Sequence, residues 1–422
     1  MAKLHGFSKK QTLDIYRKMF TSRRLDEKML VLLKQGKSFF HIGASGHEAA
    51  QLAAASLMRP NQDWSFPYYR DGAYCLGLGM TPKEQLLSFL ARADDPNSGG
   101  RQMPQHYGHK QLKIVSQSSP TGTQFLQAVG CALARKMDNS NDVVYVSSGE
   151  GTTSQGDFHE AVNWASNAKA NVIFHIQDNE FAISTHRSDQ TADTIYAMTA
   201  GYKNLARYNV NGSDFFETSL AFKEAIQRAK RGKGPTVVIS NVVRLLPHSS
   251  SDDQRKYRLE KALEEDKKKD PLVVLEKECI DANFISHEEF EEIRSEVISQ
   301  IDKDAEWAEK QKHPDPETAL NHIYSKSLFP QEKDYTSISD KIVMVDAINH
   351  ALSEEMKLND KMVIYGQDIA DPKGGVFTAT KGLTDKFSKK RVFNSPLAES
   401  SIIGTAVGMA VTGFKPVVEI QF

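Results

Sequence analysis

The sequence predicts an α/β protein: a parallel sheet flanked by helices, followed by the start of a second, similar α/β unit. Three observations predict it. Residues 143–147 (VVYVS) and 171–177 (NVIFHIQ) are short, largely apolar runs separated by a helical segment at 157–169. Strand, helix and strand within about 35 residues make a βαβ unit, whose two strands are parallel. Residues 236–240 (TVVIS) add a further buried strand after a helix ending at Lys230-Arg231-Gly232, and a second alternation begins near Asp340.

The elements follow in order. From about residue 8 to 36, Leu13, Ile15, Met19, Leu25, Met29, Leu30 and Leu33 recur at helical spacing. Thr81-Pro82-Lys83-Glu84 opens another helix. Thr81 caps it, Pro82 sits where its missing N–H costs nothing, and Glu84 completes a capping box. From about 252 to 330 the composition changes: DDQRKYRLEKALEEDKKKD holds seven acids and seven bases. That balance predicts a solvated helical tail. Pro314, Pro316 and Pro330 break the pattern and predict a linker at 331–340, so residues 1–330 form the first domain and 341–422 belong to the second. There, helix 344–356 precedes strand 362–365, residues 400–412 form a helix of small residues (Gly404, Gly408, Ala410), and 415–422 read as a strand. Domains rarely end inside an apolar strand, so the expectation is a chain cut within its second domain.

Composition excludes several classes. Apolar residues are 40% and charged residues 25%, values of a globular protein. Lysine and arginine number 53 against 54 acids, so no global positive field draws in nucleic acid or anionic lipid. The three cysteines, Cys75, Cys131 and Cys279, lie far apart with no CxxC pair, which fits a reducing cytosol. The N-terminal residues lack the apolar core of a signal peptide, and no stretch approaches the ~20 apolar residues that span a bilayer. A cytoplasmic protein without nucleic-acid or membrane partners is expected.

The strongest chemical signal follows strand 143–147. In Ser148-Gly149-Glu150-Gly151-Thr152 a carboxylate lies between two glycines at the carboxyl end of a buried parallel strand. Asn179 follows the next strand. Adjacent parallel strands bring Glu150 and Asn179 to one sheet edge. A carboxylate, an amide oxygen and a backbone carbonyl form a hard-oxygen shell suited to Mg²⁺ that leaves room for phosphate oxygens and water. The flanking glycines let the backbone approach a diphosphate. A lone turn of this kind is usually structural; the paired spacing is what points to a ligand.

This constellation resembles the metal–diphosphate motif of thiamine diphosphate enzymes, most closely the decarboxylating dehydrogenase component of the 2-oxo acid dehydrogenase complexes. Further segments agree. Tyr68-Tyr69-Arg70-Asp71 resembles the family's diphosphate contact. Gly99–His106 (GGRQMPQH) and Ser118–Gln124 (SSPTGTQ) are similar to the branched-chain 2-oxo acid group, as is Glu150 in place of the aspartate usual in pyruvate enzymes. Ser395–Gly404 (SPLAESSIIG) resembles the beta-type segment carrying an activating glutamate. The resemblance covers nearly the whole chain: an alpha-type thiamine diphosphate-binding fold, then the beginning of a beta-type, transketolase-like pyrimidine-binding domain in the same polypeptide.

The resemblance implies roles residue by residue. Tyr69 and Arg70 would hold the pyrophosphate, with Gly149, Gly151 and Thr152 against it. Ser119 and the carbonyl of Thr121 would lie near the aminopyrimidine. Glu150, Asn179 and the carbonyl of Phe181 would bind Mg²⁺, and Ser118, Thr123 and Gln124 would hold K⁺. His248, in the loop Leu246–Asp253, would face the reacting centre, and Ser249 matches a serine phosphorylated in mammalian relatives. Glu399 would hydrogen-bond a pyrimidine ring nitrogen and so promote deprotonation of the thiazolium; the cofactor then accepts the electrons released with CO₂. Branched-chain relatives often carry arginine two residues before the ligand asparagine; this chain has Gln177, so one diphosphate contact is expected to be missing. The implied activity is oxidative decarboxylation of a 2-oxo acid, a branched-chain one such as 3-methyl-2-oxobutanoate, with acyl transfer to the lipoyl group of a dihydrolipoyl acyltransferase. The active site would lie at an interface, in a homodimer or with a partner beta chain. Pyruvate or acetoin as substrate, a transketolase-like carboligase, and a non-catalytic subunit remain open alternatives.

Overall fold

A computed structural model of the protein describes residues 3–324 and 341–421. The linker expected at 331–340 lies outside them, as do Pro330 and Phe422. Helix α1 (Lys9–Lys34) starts at a capping box between Ser8 and Gln11. Of the expected stripe, Ile15, Met19, Leu25 and Met29 are buried and Leu13, Leu30 and Leu33 half-buried, with Tyr16 and Leu32 completing the inner face. Helix α2 (Glu48–Ala55) is buried at all its positions. Strand β1 (Trp64–Phe66) follows, and α3 (Pro82–Phe89) carries the expected Thr81–Glu84 capping box. Then come α4 (Thr123–Met137), β2 (Val144–Gly149), α5 (Gly156–Ala168), β3 (Val172–Asp178), β4 (Ala206–Asn211), α6 (Phe215–Lys230) and β5 (Thr236–Asn241).

The five strands form one parallel sheet in the order β1-β2-β3-β5-β4. Strand β3 is buried at every position and β2 at all but Gly149, so both strands read as apolar runs rather than as alternations. Gly149 pairs with Gln177 across β2 and β3. Residues 149–151 and 178–181 therefore leave the sheet side by side at its carboxyl edge, where open parallel sheets bind ligands.

The charged segment corrects one expectation. Helix α7 (Glu260–Lys268) has no buried residue, as a solvated tail should. Helices α8 (Pro271–Asp281) and α9 (His287–Glu309) instead pack into the same core as α1. Phe290, Ile293, Val297, Ile301, Ala305 and Ala308 are buried along one face of α9. Balanced charge hid this stripe, because an amphipathic helix needs only about a third of its surface to be apolar.

The second unit comprises α10 (Met344–Leu358), β6 (Met362–Gly366), β7 (Val392–Asn394), α11 (Glu399–Val411) and β8 (Lys415–Glu419). Its strands are parallel in the order β7-β6-β8. Among the described residues no helix is long and apolar enough to cross a membrane.

The two sheets share a core through α4 and α11. Phe125, Leu126 and Val129 pack in one cluster with Tyr365, Ile402 and Met409. Glycine allows the helices to meet backbone to backbone. A Cβ built on Gly408 would lie 1.8 Å from the carbonyl oxygen of Gln127, and one on Gly130 would lie 1.9 Å from that of Thr405. The ammonium of Lys361 joins the carboxyl ends of both helices: it pairs with Asp138, the C-cap of α4, and stands 4.6 Å from the ring of Phe414, just past α11. At the other end the Glu160 carboxylate of α5 accepts hydrogen bonds from the Ser401 amide and hydroxyl at 2.9 and 2.8 Å. The helices therefore run in the same direction.

Replacing Gly408 with Ala should force α4 and α11 apart and destabilise the protein by about 1–3 kcal/mol, the usual cost of overpacking. Gly201→Ala, which meets nothing within 4 Å, is the control. Equal melting temperatures for the two variants would show that the helices separate freely.

Candidate active site

The carboxyl edge of the first sheet opens into a cavity of about 260 Å³. It is lined by Tyr68, Tyr69, Arg70, Thr121, Gly149, Glu150, Gly151, Thr152, Asn179, Phe181, Ala182, Ile183 and His248. Ten residues singled out in the sequence are thus brought together: Tyr69, Arg70, Thr121, Gly149, Glu150, Gly151, Thr152, Asn179, Phe181 and His248.

Glu150 and Asn179 meet as the strand spacing predicts. The Asn179 amide donates to Glu150 Oε2 at 3.2 Å. Asn179 Oδ1 is buried without a hydrogen-bond partner among the described residues. An orphaned amide oxygen beside a carboxylate is costly unless something else satisfies it. Burial, with the nearby Asp178 carboxylate, pushes the Glu150 carboxyl up to about 7. A divalent cation would relieve both strains, and these oxygens suit Mg²⁺. Asp178 is itself held by Arg187, at 2.6 Å.

Across the cavity Arg70 is 2% exposed. One guanidinium nitrogen donates to the Gly43 carbonyl at 2.6 Å; the other lies 3.3 Å from the His248 carbonyl and 3.4 Å from His248 Nδ1. The Tyr69 ring stands 5.4 Å from the Arg70 guanidinium carbon and 5.9 Å from the His248 ring. Burial, then the Arg70 and Arg244 charges, hold His248 down to about 4, so its imidazole is neutral at physiological pH. A buried, fixed cation beside a neutral imidazole is an arrangement suited to a phosphorylated ligand.

Other expected residues lie elsewhere. Ser119 is exposed and bonds His106 rather than lining the cavity. Ser118 and Thr123 share a hydrogen bond through their hydroxyls, and Thr123 also donates to the Pro120 carbonyl at 3.2 Å. The Gln124 side chain is engaged by the Gly122 amide and the Ser147 carbonyl, both at 3.1 Å. Three oxygens of one turn thus converge, with Gln124 committed beside them. Ser249 is 8% exposed, its hydroxyl 3.0 Å from that of Ser251. Glu399, the first residue of α11, is exposed and accepts from Gln367 at 2.9 Å, an interaction that lowers its pKa. It does not line the cavity. Its helix nevertheless starts at the same end as α4, and Thr121, two residues before α4, does line it.

Sequence reasoning missed a buried polar layer beneath the cavity. Gln177 is fully buried there and does not line the cavity. Its Nε2 donates to Asp71 at 2.6 Å, and its Oε1 accepts from Gln51 at 2.9 Å and meets His47 Nδ1 at 2.8 Å. Asp71 also accepts from the Ser147 hydroxyl. Arg244, 2% exposed, braces the loop that carries His248: it donates to the Ile183 carbonyl at 3.0 Å and to the Tyr257 hydroxyl at 2.7 Å, which donates to Asp252 at 2.5 Å. The available signal was a charged residue three positions past the end of a buried strand, in Val242-Val243-Arg244.

Comparison with known proteins agrees with this geometry. Residues 16–317 match the model of the dehydrogenase E1 component, and residues 340–422 match that of the transketolase pyrimidine-binding domain. The chain is 41% identical over 322 residues to a Bacillus subtilis 2-oxoisovalerate dehydrogenase subunit alpha, covering 76% of this chain and 97% of that one. It is 31% identical over 336 residues to the mitochondrial 2-oxoisovalerate dehydrogenase subunit alpha of Macaca fascicularis, covering 78% of this chain and 74% of that one. To a Staphylococcus aureus pyruvate dehydrogenase E1 component subunit alpha it is 34% identical over 306 residues, covering 71% and 80%. The parallel sheet, the cavity at its carboxyl edge and these matches lead to one conclusion: the chain belongs to the thiamine diphosphate-dependent E1 dehydrogenase family of the 2-oxo acid dehydrogenases, with an alpha-type part followed by a transketolase-type pyrimidine-binding part.

Proposed function

We propose that the protein decarboxylates a branched-chain 2-oxo acid, 3-methyl-2-oxobutanoate or a close homologue, and passes the acyl group to the lipoyl group of a dihydrolipoyl acyltransferase. The observation that carries the site assignment is the buried pair of Glu150 and the orphaned Asn179 Oδ1 facing Arg70 across one cavity. Two relatives bearing the 2-oxoisovalerate dehydrogenase name support the substrate, and a pyruvate dehydrogenase relative keeps pyruvate as the alternative.

On this reading Glu150, Asn179 and the Phe181 carbonyl hold Mg²⁺. Arg70 and Tyr69 hold the diphosphate, with Gly149, Gly151 and Thr152 lying against it. Thiamine diphosphate, when bound, supplies the electron sink for loss of CO₂. Glu399 accepts or donates a proton at a pyrimidine nitrogen. Neutral His248 stands where substrate and the lipoyl group approach, and Arg70 orients it. The Ser118–Thr123 turn, with Gln124, would order the intervening loop around K⁺. A cytoplasmic homodimer, or a complex with a separate beta chain, completes the proposal.

Glu150→Ala should abolish Mg²⁺-dependent thiamine diphosphate binding, measured by titration calorimetry; wild-type affinity would remove Glu150 from the metal site. Glu399→Gln should bind cofactor nearly normally yet slow exchange of the thiazolium C2 proton, followed by NMR; normal exchange would exclude Glu399 from proton transfer. With the assembled complex, branched 2-oxo acids should give higher kcat/KM than pyruvate. A preference for pyruvate would decide for the alternative.

A further inference from the structure

The run Gly99–His106 is specific in sequence, yet the function above gives it no task. Its end is rigidly placed. Gln105 has a left-handed backbone (φ 60°) and is buried. Its side chain accepts from the Ile42 amide at 2.9 Å and meets His41 Nδ1 at 2.8 Å. The following residue, His106, reaches in two directions. Its Nδ1 lies 3.0 Å from the Met103 carbonyl, and its Nε2 lies 2.7 Å from the Ser119 hydroxyl.

This geometry selects the tautomer. A carbonyl oxygen can only accept, so when the imidazole carries a single proton that proton sits on Nδ1. Nε2 is then bare and can only accept. The Ser119 hydroxyl must therefore spend its single proton on His106. What remains on Ser119 Oγ is lone pairs, and among the described residues nothing donates to them. Ser119 lies two residues from Thr121, which lines the cavity.

We propose that His106 acts through Ser119 as a positioning residue, holding that hydroxyl as an obligate acceptor for an N–H group of the bound cofactor. The inference rests on the reading that Ser119 faces the aminopyrimidine. The exocyclic amino group there is a donor. In oxythiamine diphosphate a carbonyl oxygen replaces it, and two acceptors would then face each other. The pair would thus discriminate an amino from an oxo pyrimidine by hydrogen-bond polarity, a form of selectivity based on leaving the wrong ligand unpaired.

The test uses the full chain with Mg²⁺ and measures dissociation constants for thiamine diphosphate and oxythiamine diphosphate by tryptophan fluorescence quenching. The wild type should favour the amino form. Ser119→Ala and His106→Phe should each reduce that preference by about 2- to 12-fold, the value of one net hydrogen bond. His106→Gln, whose side-chain carbonyl can accept at a similar reach, should retain it, which a purely structural role would not predict. Unchanged preference in Ser119→Ala or His106→Phe overturns the inference, and Ser119→Ala suffices if the Phe variant does not fold. Failure of the wild type to bind thiamine diphosphate at all would instead overturn the underlying functional reading.

Discussion

The buried carboxylate of Asp71 holds together the three segments that make the cavity. It accepts from Ser147 on β2 and from Gln177 on β3, at 2.6 Å, while its own amide closes the Tyr68–Asp71 turn with a 3.0 Å bond to the Tyr68 carbonyl. Burial raises its pKa to about 7, against the pull of those donors. Hydrogen bonds to a buried carboxyl gain strength from the low local dielectric, so the network favours one arrangement of the turn. Arg70 is the neighbour of Asp71 in sequence, and its direction into the cavity follows from that arrangement. Gln177 extends the network to Gln51, which in turn donates to the Arg70 carbonyl at 3.0 Å. A glutamine suits this position because its amide donates on one side and accepts on the other. An arginine would offer donors to the donors of Gln51 and His47.

Charge above this layer is arranged differently. The Asp178 carboxylate raises the cost of ionising Glu150, and the arginines near them are engaged: Arg187 by Asp178, Arg244 by the Ile183 carbonyl and Tyr257, Arg70 by the Gly43 carbonyl. Glu150 is therefore under-compensated, while Arg70, across the cavity, has no carboxylate partner among the described residues. The cavity thus separates unmet negative from unmet positive charge. An ion pair between a divalent cation and a phosphorylated anion matches both sides at once, whereas either alone leaves one side unsatisfied.

Legibility in the sequence followed locality. The strands, the capping box at Thr81 and the Glu150–Asn179 pair could be read because each depends on short-range spacing or on one inter-strand register. Asp71, Gln51, His47 and Arg244 could not, since their burial comes from segments that meet only in three dimensions. The stripe on α9 was present at helical spacing but was masked by the charges on its other faces. Glu399 shows the reverse limit. Its surrounding residues pointed to a role, and nothing local indicated how its helix would be anchored.

That anchoring is set by backbone, not by side chains. Gly408 and Gly130 bring α11 against α4 with no space for a methyl group, so neither helix can slide without breaking contact. Side-chain packing can relax after a shift; two backbones in van der Waals contact cannot. The start of α11 is pinned a second time by Glu160, which holds Ser401, and by Gln367, which holds Glu399 itself. Gln367 directly follows β6, so Glu399 stands at the carboxyl end of the second sheet as Glu150 stands at the carboxyl end of the first. Both sheets therefore present a glutamate at the edge where parallel strands bind ligands. The two carboxylates differ in environment: Glu150 is buried and easily protonated, whereas Glu399 is exposed and held ionised by its amide partner. A buried acid with a raised pKa suits a site completed by a cation. An exposed, ionised acid on a rigid helix suits proton exchange with a ligand that covers it, because burial on binding raises its affinity for the proton.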